Sequence, residues 1–262
     1  DAFGGRIDVW FSNVGVGAVG LFHETPMEAH EQVLRANLLG HMHDAHAVLP
    51  IFLRQRQGVF INMISLGGFA AAPFATAYSA SKFGLRGFAE ALRAELADHP
   101  AIHVCDIYPA FVDTPGLTHG ANYVGRRISA PPPVVDARRV AHAIVGVARS
   151  PRATTTIGSV TNATRLAHLL APNLSARLLG RFMTSYFRRA DRVDTSDGNL
   201  FDPPAVAGGI DGGFRSSRRG SAGSVALIAL LIAAAGAGSA FAMRQRNRRE
   251  KTALLRCLHG HY

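Results

Sequence analysis

The chain has 262 residues, of which 48% are hydrophobic, and it carries a formal net charge of +10. Residues 1–150 contain twelve basic and twelve acidic side chains, so the excess lies in residues 151–262, which contain sixteen basic and six acidic ones. The neutral front half argues against a nucleic-acid groove there, whereas the basic rear half suits an anionic surface such as membrane phospholipid. The two cysteines lie far apart, so no disulfide framework is indicated.

Apolar runs of strand length alternate with helical patterns in the first part of the chain. Strands are predicted at 7–12, 58–64, 102–108 and 154–157. Helices are predicted at 26–49, 76–98 and 136–149. Strands that alternate with long helices form βαβ units, so the pattern predicts an α/β domain with a parallel sheet over residues 1–160.

The first of these helices has the clearest boundary signals. Thr25 is the predicted N-cap, Pro26 takes the first helical position and Glu28 completes a capping box. Pro50 is expected to end the helix, because a proline has no backbone N–H to donate.

The part that follows residue 160 is predicted to contain a helical extension and a linker. Residues 161–194 form the extension, in which one apolar stripe recurs at helical spacing: Leu174, Leu178, Phe182 and Tyr186. This stripe is interpreted either as a packing face or as a helix that lies on a membrane surface. Residues 195–223 are rich in Gly, Ser, Pro and Asp, which is typical of a flexible linker.

An uncharged stretch of 24 residues spans 220–243. Because roughly 20 apolar residues cross the hydrocarbon core of a bilayer, we predict a single transmembrane helix at 224–243 and a basic tail at 244–262. The alternatives are an Ala-rich buried helix or a segment too weakly apolar to insert. Basic residues flank both ends of the stretch, so the membrane orientation stays open.

The motif with the clearest chemistry lies on the helix predicted at 76–98. Tyr78 and Lys82 are four residues apart and therefore share one helix face, and Ser65 lies thirteen residues before Tyr78. A lysine ammonium near a phenol favours the phenolate and lowers its pKa from about 10. Such a tyrosine can donate a proton to a carbonyl oxygen or take one from an alcohol. Alone, the pair also fits a packed tyrosine beside a solvated lysine.

The order of these residues along the predicted elements resembles that of the short-chain dehydrogenase/reductase family. Ser65 follows one strand, and the next helix carries the tyrosine and lysine. The residues that match the family's order are Asn37, Ser65, Tyr78, Lys82 and Pro109. The resemblance covers about residues 5–160.

The resemblance implies a role for each of these side chains. Tyr78 would be the general acid/base and would also contact the cofactor, and Ser65 would hydrogen-bond the substrate oxygen. Lys82 would lower the pKa of Tyr78 and hold the nicotinamide ribose, and Asn37 would hold a water that links Lys82 to solvent. The implied activity is the interconversion of an alcohol and a carbonyl by hydride transfer with NAD or NADP.

Two loops that the resemblance assigns to cofactor binding differ from the family's pattern. The family's Asn-Asn-Ala-Gly is Ser-Asn-Val-Gly at 12–15, which retains Asn13 and Gly15 and so still allows close backbone approach. The family's Pro-Gly is Pro-Ala at 109–110, so the resemblance leaves the detailed conformation of this loop open. Its residues implied to meet the nicotinamide are Pro109, Val112 and Thr114.

The family's glycine-rich phosphate loop precedes the strand that ends near Asn13, and no such segment occurs before it. A G-x-G-x-x-G run at 15–20 follows that strand, but the next helix signal comes at Thr25, so we interpret the run as a plain loop. The resemblance therefore implies a Rossmann-like doubly wound sheet that lacks its first βαβαβ half. With the start at Asp1, this predicts a piece of a longer protein.

Two functional hypotheses follow. The first is a membrane-anchored oxidoreductase with a cytoplasmic catalytic side, which acts on a small and lipophilic carbonyl or alcohol. The second is a non-catalytic, membrane-tethered remnant or interaction module. Neither requires nucleic acid, and a homo-oligomer is left open. The histidines at 41, 43 and 46 predict no metal site, because only His43 and His46 share a helix face and no carboxylate motif completes a ligand set.

Overall fold

The computed structural model describes residues 4–131, 133–204 and 208–215 of the chain. Within these residues the strands are β1 (Val9–Ser12), β2 (Ala18–Val19), β3 (Gly58–Met63), β4 (Ile102–Pro109), β5 (Ala121–Asn122) and β6 (Thr154–Ile157). The main sheet is parallel throughout and has the strand order β1-β3-β4-β6, while β2 and β5 form a separate parallel pair. The predicted α/β architecture is confirmed, because each predicted strand corresponds to one strand of the main sheet.

Helices cover both faces of this sheet and continue beyond it. They are α1 (Met27–Leu34), a π-helical segment (Arg35–Leu39), α2 (Gly40–Gln55), a 3₁₀ turn (Leu66–Gly68), α3 (Thr76–Glu95), α4 (Gly116–His119), α5 (Ala137–Arg149), α6 (Ser159–Leu170) and α7 (Pro172–Arg189). Valines of α5 pack on one face of the sheet, and α2 and α3 pack on the other.

Both boundaries predicted for the first helix differ from the structure. Thr25 does not cap α1, because its hydroxyl donates to the Leu21 carbonyl at 2.9 Å. Pro50 does not end α2, which continues to Gln55. A proline costs a helix interior about 3 kcal/mol. Val48 and Phe52 are buried against the sheet, and two such side chains contribute about 3–6 kcal/mol together, which offsets that cost.

The central strand β3 is buried on both faces, as expected of a parallel sheet with helices on either side. Successive side chains of a strand point to opposite faces. Val59 and Ile61 join the cluster that includes Val140 and Val147 of α5, whereas Phe60 joins the cluster of α2 and α3. The carboxyl ends of β1, β3 and β4 consequently lie along one edge of the sheet, where ligands of open α/β sheets bind.

One end of the main sheet is formed by β1, whose Val9 is 41% exposed. The absence of the first βαβαβ half, inferred from the resemblance, stays a prediction. Among the described residues, no helix is long and apolar enough to cross a membrane. The predicted membrane helix at 224–243 and the basic tail at 244–262 lie outside the described residues.

The helical extension predicted at 161–194 corresponds to α6 and α7. Its apolar stripe is only partly buried, and the buried side chains of α7 are Ser175 and Phe187. The linker predicted at 195–223 is packed on the domain in its described part. Leu200 is buried in a cluster with Ala18 and Ala29, and its neighbour Asn199 donates its N–H to the His119 carbonyl at 2.8 Å.

Candidate active site

The chain makes a strained turn at Ser65, just after β3 ends. Ser65 has a φ of 139°, a value that residues other than glycine rarely adopt and that costs about 1–3 kcal/mol. Its hydroxyl oxygen accepts a hydrogen bond from the Gly67 N–H at 3.2 Å, which supports the following 3₁₀ turn. Backbone strain of this kind concentrates at functional sites, where the surrounding structure must maintain it.

Helix α3 brings Tyr78 and Lys82 to the same place. The Tyr78 ring and the Ser65 hydroxyl both lie next to Gly67, where a Cβ would be 3.2 Å from Tyr78 Cε1 and 3.7 Å from Ser65 Oγ. Lys82 is only 4% exposed, and its ammonium donates to the Met63 carbonyl at 3.1 Å. The Lys82 Nζ atom lies 5.7 Å from the centroid of the Tyr78 ring. The three residues singled out from the sequence therefore meet at the carboxyl edge of β3.

Burial shifts the pKa values of both ionisable side chains. It raises the pKa of Tyr78, and the nearby Ser65 side chain offsets this only in part. It lowers the pKa of Lys82 to about 8. A phenol with a raised pKa differs from the expectation that Lys82 lowers it. The reason is geometric, because the Lys82 ammonium hydrogen-bonds the Met63 carbonyl and not the phenol oxygen.

Asn37 lies in the π-helical segment between α1 and α2 and is fully buried. Its carboxamide accepts from the Val16 N–H at 2.7 Å and donates to the Val16 carbonyl at 2.9 Å. It also donates to the Ser81 hydroxyl at 3.2 Å, which ties the loop after β1 to α3. A Cβ on Gly15 would lie 3.5 Å from Asn37 Oδ1 and 3.9 Å from Lys82 Nζ. Asn37 and Gly15 thus adjoin the lysine, whereas Asn13 is exposed in the same loop.

A buried polar chain, which the sequence analysis missed, runs beneath this edge of the sheet. His41 Nε2 lies 2.9 Å from the Val14 carbonyl, and Nδ1 lies 3.0 Å from Asn62 Oδ1. Burial lowers the pKa of His41, so the imidazole is neutral and has one N–H for two oxygen neighbours. The imidazole therefore donates to only one of these two oxygens. The sequence feature that could have revealed this polar chain is Asn62, a polar residue inside the apolar strand β3.

The far end of this chain is Asp106 of β4, which is fully buried. The Asp106 carboxylate accepts hydrogen bonds from Asn62 Nδ2 at 3.4 Å, from the Arg93 guanidinium at 2.9 Å and from the Tyr108 hydroxyl at 3.3 Å. Burial raises the pKa of Asp106 to about 6, and the Arg93 guanidinium partly opposes the shift. These bonds connect the loop after β1 to α3 through the two central strands.

The methyl group that Ala110 adds to the family's Pro-Gly motif has room because the residue facing it is a glycine, Gly158. Pro109 ends β4, and the Ala110 methyl faces Gly158, where a Cβ would come within 3.0 Å of it. Gly158 has a φ of 97°, so glycine is favoured there for its backbone as well as for its size. Val112 bridges to Val135, and contact of Val112 and Thr114 with a cofactor stays a prediction.

The C-terminal extension packs against the segment between Ser65 and Tyr78. Phe187 of α7 meets Phe74 edge to face, with ring centroids 5.0 Å apart. Arg165 of α6 lies over the Phe69 ring, with its guanidinium carbon 4.9 Å from the centroid. The extension therefore packs on the segment that joins Ser65 to Tyr78, a placement that its spacing in the sequence did not indicate.

A parallel α/β sheet with a serine, a tyrosine and a lysine gathered at its carboxyl edge is the arrangement of a short-chain dehydrogenase. Residues 1–121 match the family described as short chain dehydrogenase. The resemblance stated from the motifs is confirmed for these residues.

Curated relatives match the same part of the chain. Mouse "Dehydrogenase/reductase SDR family member 7" is 33% identical over 110 residues, which are 42% of this chain and 32% of that protein. The "3-ketodihydrosphingosine reductase" of Bacteroides thetaiotaomicron is 37% identical over 119 residues, which are 45% of this chain and 43% of that protein. The chain thus spans less than half the length of either relative.

Solved structures share the fold. A short chain dehydrogenase from Burkholderia cenocepacia, determined in complex with NADP, matches with a TM-score of 0.58 at 23% identity. The match covers 68% of this chain and 71% of that chain. NADP is the ligand of that structure, and the likeness shows that the two chains share a fold.

Proposed function

We propose that this chain carries the proton-transfer site of an NAD(P)-dependent oxidoreductase that interconverts an alcohol and a carbonyl compound. The observation that carries the proposal is the Tyr78 ring and the Ser65 hydroxyl side by side at Gly67, with the buried Lys82 Nζ 5.7 Å from the ring centroid. The raised pKa of Tyr78 keeps the phenol protonated at neutral pH. A protonated phenol is the form that donates to a carbonyl oxygen during reduction.

Each side chain has a distinct part in this proposal. The Ser65 hydroxyl orients the substrate oxygen beside the Tyr78 hydroxyl, which gives up its proton as the carbonyl becomes an alcohol. The same phenol oxygen, once deprotonated, takes the proton back in the oxidation direction. Lys82 places a positive charge near this oxygen and favours the phenolate after transfer. A bound nicotinamide would supply the hydride.

The residues at the carboxyl edge fit such a cofactor. Lys82 has three N–H donors, and the structure shows one hydrogen bond from them within the described residues, to Met63. Two donors are therefore available for ribose hydroxyls, as the family resemblance requires. The other residues proposed to contact NAD or NADP lie in the loops after β1 and β4: Asn13, Gly15, Pro109, Val112 and Thr114.

The decisive variant is Tyr78→Phe in the full-length protein, because it removes the hydroxyl and keeps the ring. We expect turnover to fall about 10²–10⁴-fold, the usual contribution of a positioned general acid. Cofactor affinity, measured by calorimetry, should change far less than turnover, because the ring of the tyrosine is kept. Tyr123→Phe is the matched control, since the Tyr123 hydroxyl bonds Asp197 at 2.6 Å, away from Ser65. Normal turnover in Tyr78→Phe contradicts the proposal.

The second candidate is a non-catalytic module that kept these residues by descent. It is favoured by the position of β1 at the end of the sheet and by a family match that covers residues 1–121. Titration of the 262-residue chain with NADH and NADPH separates the two candidates. Saturable binding of either nucleotide contradicts the non-catalytic module, and absence of binding to the full-length protein contradicts the oxidoreductase.

A lipophilic substrate is the class we propose. One relative is named a 3-ketodihydrosphingosine reductase, and the site in this chain has the apolar pair Phe74 and Phe187 beside the Ser65–Tyr78 segment. Long-chain ketones should be reduced with a lower KM than short water-soluble ones. Turnover confined to short carbonyl compounds contradicts this assignment.

We also propose that the chain is attached to an anionic membrane, with its catalytic side in the cytoplasm, where NAD(P) is supplied. Residues 137–190 contain nine arginines and no aspartate or glutamate. Four leucines around the junction of α6 and α7 are exposed, the most exposed being Leu169 at 76%. They are Leu166, Leu169, Leu170 and Leu174. Exposed leucines among arginines suit a bilayer that contains anionic lipid, in addition to the membrane helix predicted at 224–243.

A fluorescent probe tests this attachment in the full chain. A bimane group on Leu169→Cys, in a Cys257→Ser background, should be quenched by brominated lipid in vesicles that contain phosphatidylglycerol. The control is Leu53→Cys, since Leu53 is 40% exposed on α2. Equal quenching at both positions, or none at residue 169, contradicts a membrane contact at α6 and α7.

A further inference from the structure

Residues 208–215, which we call the strap, lie across the loop that follows β4. The Gly212 N–H donates to the Asp113 carbonyl at 3.3 Å. A Cβ on Gly212 would lie 2.6 Å from the Thr114 carbonyl oxygen, so only glycine allows this approach. A Cβ on Gly209 would lie 3.8 Å from Pro115. The strap therefore contacts three consecutive loop residues.

An ionic clamp centred on Arg215 holds the strap in place. Arg215 Nε donates to Asp113 at 2.7 Å, and the Phe214 N–H donates to the other oxygen of the same carboxylate at 2.8 Å. Asp113 is 2% exposed, and burial disfavours its ionised form. The hydrogen bonds from Arg215 and Phe214 nevertheless hold the pKa of Asp113 below its usual value.

The clamp extends from this carboxylate to the start of α5. Arg215 also donates to Asp136, and it donates to Asp211 at 2.6 Å. Asp136 is the N-cap of α5 and accepts from the Arg138 N–H at 2.8 Å. The Arg138 guanidinium binds both oxygens of Asp211, at 2.9 and 3.2 Å. One arginine of the strap thus joins the loop after β4 to a helix terminus.

The same loop is fixed from its other side by backbone hydrogen bonds. The Asp113 N–H donates to the Val135 carbonyl at 2.9 Å, and the Val135 N–H donates to the Phe111 carbonyl at 2.7 Å. Val112, between these two bonds, and Thr114, under Gly212, are the residues proposed to meet the nicotinamide. Their backbone is consequently held between the segment before α5 and the strap.

We propose that the strap positions the nicotinamide-facing loop Val112–Thr114, with Arg215 as the positioning residue. The proposal rests on the proposed function, because the loop matters as a cofactor contact. Loss of the Arg215 guanidinium leaves the buried Asp113 carboxylate without its charged partner. A buried carboxylate in that state draws water, and the loop that carries it rearranges.

The first measurement is amide hydrogen exchange of the full chain, without cofactor. Arg215→Gln should speed exchange of the segment 111–115, and Arg215→Lys should restore part of the protection, because a lysine keeps the charge but cannot form the same fork. Arg54→Gln is the matched control, an exposed arginine on α2. Melting curves separate a local loss of protection from global unfolding.

Two glycine variants test the contact without changing charge. Gly212→Ala places a methyl against the Thr114 carbonyl and should speed exchange at 111–115 as Arg215→Gln does. Gly208→Ala is its control, because a Cβ on Gly208 meets no atom within 4 Å. Unchanged exchange at 111–115 in both Arg215→Gln and Gly212→Ala overturns the strap proposal.

The second measurement is NADH and NADPH affinity of the full-length protein. We expect Arg215→Gln to weaken binding about threefold to tenfold, in line with the loss of one charged hydrogen bond, with a smaller effect on turnover at saturating cofactor. Faster exchange with unchanged cofactor affinity also overturns the positioning role. A wild-type protein that binds neither nucleotide contradicts the proposed function, whereas exchange still reports on the strap, so the two failures are distinguishable.

Discussion

Lys82 and Arg215 carry the same charge next to neighbouring loops of one sheet edge, but their surroundings differ. Lys82 is 4% exposed, and its hydrogen bond goes to a backbone carbonyl. Arg215 is bonded to the carboxylates of Asp113, Asp136 and Asp211 and keeps about a third of its side chain exposed. Burial consequently lowers the pKa of Lys82 to about 8, whereas the carboxylates raise the pKa of Arg215.

This difference separates a chemical role from a mechanical one. A buried cation with no carboxylate partner is costly to fold around, but it titrates near neutral pH and its electric field acts on the adjacent phenol. A cation bonded to three carboxylates stays charged at every pH at which the protein is folded, and its role is to hold the backbone segments that carry those carboxylates. Variants at the two sites should therefore change different observables.

The largest expected effect is at Lys82. Lys82→Met should abolish most turnover, by about a hundredfold or more, if the ammonium supports proton transfer at Tyr78. The same change should raise the free energy of unfolding at pH 7 by about 3 kcal/mol, because the shift of its pKa from 10.5 to about 8 measures the cost of burying the charge. Urea unfolding and steady-state kinetics check both.

The sign of this effect depends on pH. Unfolded chains bind the Lys82 proton more tightly than the folded chain does, so wild-type stability rises as the pH increases from about 8 to 10.5. The advantage of Lys82→Met should shrink over that window. A variant that is no more stable than the wild type at pH 7 contradicts this account of the site.

The next effect in size is at Asp106. This carboxylate is buried like Lys82, but it has a charged partner, Arg93, as Arg215 has. The fold raises the pKa of Asp106 from its ordinary value of 3.8 to about 6, so the folded chain binds the proton more tightly than the unfolded chain. Wild-type stability should therefore fall relative to Asp106→Asn, by about 2–3 kcal/mol, as the pH rises from about 4 to 6.

Urea unfolding of both proteins between pH 4 and 7 measures this difference. The exposed Asp98→Asn serves as the control for removal of a charge. A constant difference between wild type and Asp106→Asn across that window would mean that the buried carboxylate does not titrate there.

The smallest effect concerns salt at the strap. Ion pairs of a partly exposed arginine are screened by added salt, whereas the buried bond of Lys82 is not. Raising NaCl from about 0.05 to 1 M should speed exchange at 111–115 a few-fold in the wild type and little in Arg215→Gln. Exchange of segment 79–84, which includes Lys82, should be insensitive. Equal salt sensitivity of the two segments contradicts the contrast between them.

The sequence alone was sufficient for the strands of the main sheet and for the centre of the site. Periodicity of apolar residues marked each strand of the main sheet, because a strand or helix has to bury its own face whatever its partners are. Tyr78 and Lys82 share a face through local helix geometry, and Ser65 follows directly from the end of β3. These relations span few residues, so local rules decide them.

Only the tertiary structure decided the pKa of Tyr78, the polar chain through His41, Asn62 and Asp106, and the strap. Each depends on groups far apart in sequence, such as the 102 residues that separate Asp113 from Arg215. A region rich in Gly and Asp predicted a flexible linker, yet Gly212 is what allows close approach to Thr114 and Asp211 is what pairs with Arg138. A flexible linker and a packed segment can have the same composition. The segment packs only where the fold places complementary charges and a matching surface next to it.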